Sequence, residues 1–512
     1  MSIFATKSIE QIRHEQLGGV GVTDEAGGLK RVLGPNQLIM LGVGAVIGTG
    51  IFVLTGQAAA ANAGPAIVIS MVIAGLTSVL AALCYSEFAA SVPVAGSAYT
   101  YAYATLGEFV AWIIGWDLIL EYALGAATVA VGWSGSFVTF LQQLGVSFPA
   151  ALSAAPGTAI AVAGGGSVTA VFNLPAVLIT IAVTALLIFG VSESASVNAA
   201  IVVTKIAILL IVIATGAFFI DPANLRPFIP HNTGRFGEFG WSGILRGAAV
   251  IFFAYIGFDA VSTSAQEARN PQRDMPRAIL GSLAICTVLY VLVSGVMVGL
   301  VPYRDMLNQP APLVLATEAA ATRAIGTAWE GPMQIVKVLV TAGALAALSS
   351  VMVVMMLAQP RIFLAMSRDG LLPEWAGRIH PHRRTPHVST LVTGVVVSLA
   401  AGLTPIGTLG NLVSIGTLMA FVIVSVGIIV MRRTRPDLPR PFRMPWVPAL
   451  PALSAVVSFG LMMGLPWTTW ERLILWMAIG VAFYFAYGFR RSRLRGSDSR
   501  ASTRLQSGAR NV

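Results

Sequence analysis

Apolar stretches of about 20 residues recur along most of this 512-residue chain, and each is long enough to cross ~30 Å of hydrocarbon. No other feature narrows the fold as much. Inside lipid every backbone N–H and C=O must find its partner within the segment or in a closed sheet, so only helices and barrels span a membrane. A barrel would show alternating strands of ~10 residues, and the apolar runs here do not alternate. The chain is expected to be an all-α polytopic membrane protein. Composition agrees: 56% of residues are hydrophobic and 11% charged, where a soluble domain carries roughly a quarter charged.

Runs bounded by charges or turn residues place twelve transmembrane helices, centred near Val46, Gly75, Tyr122, Ala182, Leu209, Phe253, Leu289, Leu348, Val396, Val422, Val456 and Ile479. With twelve crossings both termini share one side. Basic residues decide which. They crowd the N-terminal tail, the connectors after the sixth, eighth and tenth spans, and the tail from Arg490 to Arg510. The opposite connectors hold Arg226, Arg235, Arg304, Arg323 and Arg472. Basic loops stay in the cytoplasm, so both termini are expected there. The same distribution explains the net charge of +10 without a nucleic-acid partner. Cys84 and Cys286 fall within apolar spans and imply no disulfide. Residues 1–30 are polar, unlike a cleavable signal. Residues 142–174 are uncharged but rich in Gly and Pro, which suits an external loop with short helices or a hairpin better than a thirteenth span.

The spans divide into a cytoplasmic tail (1–34), a first repeat (35–220), a second repeat (243–431), two further helices (446–490) and a basic tail (491–512). Five crossings per half give the halves opposite orientations, a 5+5 inverted repeat whose matching interrupted helices meet near the midplane. Span one holds Gly42, Gly44, Gly48 and Gly50 within nine residues, a poor recipe for a continuous helix. Span six holds Phe253-Ala254-Tyr255-Ile256-Gly257-Phe258-Asp259. An isolated glycine cluster more often serves close packing; one cluster at the start of each half points to broken helices 1 and 6. N–H groups at one half-helix end suit a carboxylate, and carbonyls at the other suit an ammonium group. Together they make a site for a zwitterion.

Gly44-Ala45-Val46-Ile47-Gly48-Thr49-Gly50-Ile51-Phe52 resembles the first-helix signature of the amino acid–polyamine–organocation superfamily, whose fold is the LeuT type. Tyr255-Ile256-Gly257-Phe258-Asp259, then Glu267-Ala268-Arg269-Asn270-Pro271, is similar to its cationic amino acid transporter branch, as is Pro360 to Pro373. The resemblance covers about residues 29–490. It implies amino acid transport, substrate contacts from Ile47, Gly48, Thr49, Gly50, Phe253, Ala254, Ile256 and Gly257, and a bacterial protein, since twelve helices are the bacterial form and fourteen the animal one.

Charges within spans are costly, ~3 kcal/mol or more at mid-bilayer, and each needs a reason. Lys205 lies about six residues inside span five, where it either snorkels to the interface or is buried and functional. The resemblance implies the second: proton-coupled relatives carry a lysine in helix five that touches the unwound part of helix one, here the Gly44 backbone, where sodium-coupled cousins bind sodium. Asp117 and Glu121 share one face of span three. They can carry protons, attract a cationic substrate or bond to neighbouring helices; Glu121 is the stronger candidate. Asp259 is open between substrate contact, coupling and structural bonding, and Lys337 reads as an interfacial anchor.

Met355 occupies a position that resembles a serine of animal cationic transporters, on the side-chain side of helix eight. Methionine there shortens the pocket toward small neutral substrates; ordinary core packing is the competing account. Gly132-Trp133-Ser134-Gly135 has the form of an intramembrane serine protease motif, but all five histidines lie in tails or connectors, leaving no base for the serine. An enzyme, a cofactor and a metal site are therefore not expected. The functional expectation is a proton-coupled symporter of small neutral L-amino acids working by alternating access. Cationic transport or exchange is the alternative, and a nutrient sensor or channel a distant one. Nothing in the chain specifies a small membrane subunit or an oligomeric state.

Overall fold

A computed structural model describes residues 5–7, 33–91, 98–162, 166–190, 195–258, 261, 268–383 and 385–494. The described chain is predominantly helical. The stretch read as span one is divided. Helix α1, Pro35–Val46, starts with Pro at its first turn, and its Gly34 cap N–H donates to Gln37 Oε1 at 2.9 Å. It stops at Ile47, whose backbone is extended. After Gly48 the chain resumes as α2, residues 50–63, wound mostly with π geometry. The hydroxyl of Thr55 fastens this wide turn by donating to Gly50 O at 2.8 Å. Single π turns inside helices recur at functional sites.

Helix α3, Ile67–Ser91, follows a turn at Gly64 and Pro65; then come α4, Ala98–Thr105, and α5, Glu108–Gln143. Residues 144–173 carry a short antiparallel hairpin, β1 Ala159–Val162 with β2 Gly166–Thr169. Helix α6, Leu174–Phe189, is capped by Asn173, whose side chain also accepts a hydrogen bond from Ser134 at 2.6 Å. The serine of the protease-like motif thus holds the capping side chain of a neighbouring helix. Helix α7 is Ala195–Gly216. Helix α8, Gly240–Ile251, tightens into a 3₁₀ turn at Phe252–Tyr255 before Ile256 goes extended. The remaining helices are α9 (Pro271–Leu300), α10 (Pro312–Arg323), α11 (Glu330–Arg368), α12 (His387–Leu403), α13 (Ile406–Thr434), α14 (Ala449–Gly464) and α15 (Trp467–Phe483).

Among the described residues, seven helices are long and apolar enough to cross a membrane, and five shorter apolar helices accompany them: α1, α6, α8 with its 3₁₀ turn, α12 and α14. Helix α5 has 36 residues and α11 has 39, roughly 54 Å or more at 1.5 Å per residue. Both exceed the hydrocarbon thickness and must tilt or protrude. Two packed groups hold the molecule together. Helix α9 lies along α1 and α3, with α8 against α3. Helices α5, α6, α11 and α12 pack on one another. Lys337 forms an ion pair with Glu318 of α10 at 3.1 Å, so it fastens α11 to α10.

Candidate functional site

The two interruptions lie against each other. A Cβ on Gly50, just past the first break, would overlap the Cα of Ala254, just before the second. Reciprocally, a Cβ on Gly257 would stand 2.8 Å from Ala45 O. Gly257 also has φ +112°, open to glycine and strained for other residues. The glycines of both signatures therefore let two backbones cross at van der Waals distance.

A helix that stops inside a protein strands its last carbonyls. Here side chains from other helices take them up. Lys205 of α7 is 1% exposed, and its Nζ donates to Gly44 O at 2.7 Å and Ile47 O at 3.2 Å. The Tyr290 hydroxyl of α9 donates to Val46 O at 2.8 Å. Tyr255, at the second break, packs edge-on against Tyr290 and donates to Met71 O at 2.9 Å. Lys205 is thus buried on the break.

Across from α1's end, the amides of Ile51 and Phe52 turn back to Gly48 O at 3.2 and 3.4 Å, and α2 presents its N-terminal end, which favours an anionic group. Thr49 lies there, fully buried, and its hydroxyl has no hydrogen-bond partner among the described residues. Phe253 and Ile256, at the second break, are buried at 4% and 3% exposure. A Cβ on Gly48 would meet Val351 of α11 at 3.3 Å. Met355, one turn along from Val351, is buried and lies over Gly125 of α5, its sulfur 3.0 Å from where a Cβ would be. Gly132, two turns beyond Gly125, faces Thr49 in the same way at 2.8 Å.

Asp117, Glu121 and Gly125 follow at steps of four and share one stripe of α5. Both carboxyls are buried. The oxygens of Asp117 have no hydrogen-bond partner among the described residues, and one lies 2.7 Å from a Cβ position on Gly416 of α13. The structure brings together Ile47, Gly48, Thr49, Gly50, Ala254, Ile256, Gly257 and Lys205. Phe253 lies in the 3₁₀ turn that meets α2, whereas Met355 of α11 and Glu121 of α5 lie by Gly125 and one turn from it, two turns or more along α5 from the Gly132 that faces Thr49. Asp259 lies outside the described residues.

A second polar cluster, absent from the sequence reading, joins distant parts of the chain. Lys7 is buried, and its Nζ forms an ion pair with Asp369 at 2.5 Å. Asp369 also accepts from the hydroxyl of Tyr99. Glu108 accepts from Tyr103 at 3.1 Å, Tyr484 at 2.8 Å and the hydroxyl of Ser492. Burial first, then the nearby carboxyls of Asp369 and Glu108, push the phenols of Tyr99 and Tyr103 up, so both stay donors. Backbone bonds stitch the same place: Lys7 N to Tyr103 O, Glu108 N to Ala5 O and Arg493 N to Asp369 O. Beside it, Arg432 grips the buried Glu87 of α3 with two hydrogen bonds. Acids at the helix ends, Glu87 and Glu108, were the available sequence signal; their partners were not.

Comparison with known proteins settles the family. The profile of the amino acid permease family matches residues 33–483, nearly the whole helical body. The chain belongs to the amino acid permease family. This permease is 45% identical over 493 residues to the branched-chain amino acid permease BcaP of Bacillus subtilis, covering 96% of this chain and 99% of that one. It is 42% identical over 482 residues to the methylthioribose transporter of the same species, covering 94% and 98%. It is also 38% identical over 431 residues to the vacuolar cationic amino acid transporter 4 of Arabidopsis thaliana, covering 83% of the permease and 68% of the relative.

Proposed function

We propose that this permease is a proton-coupled symporter of neutral L-amino acids that works by alternating access. The observation that carries the proposal is Lys205, buried and bonded to the Gly44 and Ile47 carbonyls at the break. A charged amine there binds the C-terminal end of α1 and holds the break closed. Loss of its proton weakens both bonds and frees α1 to move, which links protonation to the geometry of the zwitterion site.

The scaffold proposed is twelve crossings in a 5+5 inverted repeat with two further helices, in the cell membrane, both termini cytoplasmic. Each of three helices of the first half packs on its counterpart five spans later: α3 on α9, α5 on α11 and α6 on α12. That pairing supports the repeat, as does the reciprocal crossing of the two breaks. In this orientation the cluster around Lys7 and Asp369 is the cytoplasmic seal, which opens when substrate leaves inward.

For the substrate, Met355 over Gly125 makes an apolar wall, which favours neutral aliphatic amino acids. The named branched-chain permeases among the relatives agree with that class. Cationic transport has the buried Asp117 and Glu121 in its favour. Uptake into proteoliposomes tests both, using labelled alanine, leucine and arginine with and without an inward proton gradient. Saturable alanine or leucine uptake that a protonophore collapses is the expected result. Uptake of arginine alone would overturn the neutral reading, and uptake indifferent to the gradient would overturn symport.

A further inference from the structure

The first two turns of α9 have two unlike faces. Asp274, Met275, Pro276 and Ala278 are buried, whereas Gln272, Arg273 and Arg277 are exposed. The two arginines stand four residues apart, hence on one side of the helix. Between them and the connector from α13 to α14 lies a cavity of about 420 Å³, lined by Gln272, Arg273, Pro276, Arg277, Leu280 and Phe442.

Three nearby arginines at the end of α13 and in the connector after it are committed to protein partners. Arg432 grips Glu87, Arg440 lies 3.8 Å from the same carboxylate and donates to three carbonyls, and Arg435 donates to Thr6. Among the described residues, Arg273 and Arg277 make no ion pair and no side-chain hydrogen bond. They face a cavity whose floor is apolar. A guanidinium pair suits phosphate oxygens, which it can bind in forked fashion. Pro276, Leu280 and Phe442 suit hydrocarbon. Helix α9 turns apolar at Ile279 and Leu280, where a helix enters the bilayer. A ligand that meets both requirements at that depth has a phosphate head and acyl chains.

We propose that this cavity holds the headgroup of an anionic phospholipid. The cytoplasmic leaflet as its source rests on the orientation proposed above; binding itself does not depend on transport. The bound headgroup would tie α9, which packs on α1 and α3, to the connector whose Met444 N–H is held by Glu87 of α3. The lipid would then brace the end of the helix group that carries the first break.

The test uses the full chain purified in detergent, titrated with phosphatidylglycerol, phosphatidylcholine or inorganic phosphate, and bound lipid counted by native mass spectrometry. Saturable retention of phosphatidylglycerol over phosphatidylcholine is expected. Replacing both arginines, Arg273→Gln with Arg277→Gln, should weaken it about thirtyfold, equivalent to ~2 kcal/mol at ~1 kcal/mol per basic residue. Arg378→Gln, which removes an exposed charge from another connector, should leave retention unchanged. Thermal melting of each variant without lipid separates lost binding from lost folding. Equal retention by wild type and the double variant would overturn the proposal. So would saturable inorganic phosphate binding with no preference between the two lipids, which would mark a free-anion site.

Discussion

The crossing of the two breaks and the cluster around Lys7 each bury a lysine, and they do so with different materials. At the crossing, Lys205 is held by backbone carbonyls that a broken helix leaves over, and glycines bring the second backbone close. At the cluster, Lys7 meets the carboxylate of Asp369, and Glu108 gathers three hydroxyls, one from nearby Tyr103 and two from Tyr484 and Ser492 near the other end of the chain. Carbonyls bind an ammonium ion through their dipoles and carry no net charge of their own. A carboxylate fixes its partner's charge. The proposed symport assigns the first arrangement to coupling and the second to a seal that is either whole or parted.

The largest effect should follow from removing the lysine at the break. Lys205→Ala leaves the Gly44 and Ile47 carbonyls without the ammonium, and proton-driven uptake in proteoliposomes should fall to background while the protein still elutes as a folded monodisperse species. Retained uptake with normal pH dependence would end the distinction between the two lysines. Lys7→Ala is the matched experiment. It removes the ammonium partner of the buried Asp369 carboxylate and leaves the Tyr99 hydroxyl as a donor, and breaking a buried pair in this way costs about 3–5 kcal/mol. The expected result is a shift toward the inward-open form, read as faster labelling of a cysteine placed at Thr49, with partial uptake surviving. Lys7→Ala with Asp369→Asn should restore part of the closure, since no bare charge remains; a double variant no better than the single ones would break the seal reading.

The contrast also explains what the sequence made legible. The crossing is built from backbone, and backbone that cannot stay helical advertises itself: four glycines in nine residues, and Gly257 in the middle of an apolar run. Lys205 was conspicuous because it was alone among apolar neighbours. The cluster has no such signature. Its members come from residues 7, 99, 103, 108, 369, 484 and 492, and each looks ordinary beside its own neighbours. Only the fold brings them together. Asp117 and Glu121 fall between these cases: their shared helix face was readable, but not that Gly416 of α13 would press on Asp117.

A middling effect is expected where glycine permits the crossing. Gly50→Val forces a side chain into the Ala254 backbone, and overpacking of this kind costs about 1–3 kcal/mol. Thermal melting should drop, and substrate should no longer protect against unfolding. Gly295→Ala, in α9 with its nearest neighbour 3.8 Å from the added carbon, should change neither. If both variants melt alike, the close approach is not what the glycine supplies.

The smallest effect should come from Met355, one turn along α11 from the Val351 that faces Gly48. Its sulfur rests on Gly125, one turn along α5 from Glu121, so shortening it opens space on the stripe that carries the buried carboxyls. Met355→Ser should leave alanine uptake within a few-fold of wild type while larger or cationic amino acids gain as competitors, by about tenfold, the scale on which a hydrophobic pocket discriminates by size. Competition by arginine in Met355→Ser, lost again in Met355→Ser with Glu121→Gln, would show the methionine screening a carboxyl from the substrate path. If leucine gains and arginine does not, the methionine limits length alone, and Glu121 and Asp117 belong to the scaffold.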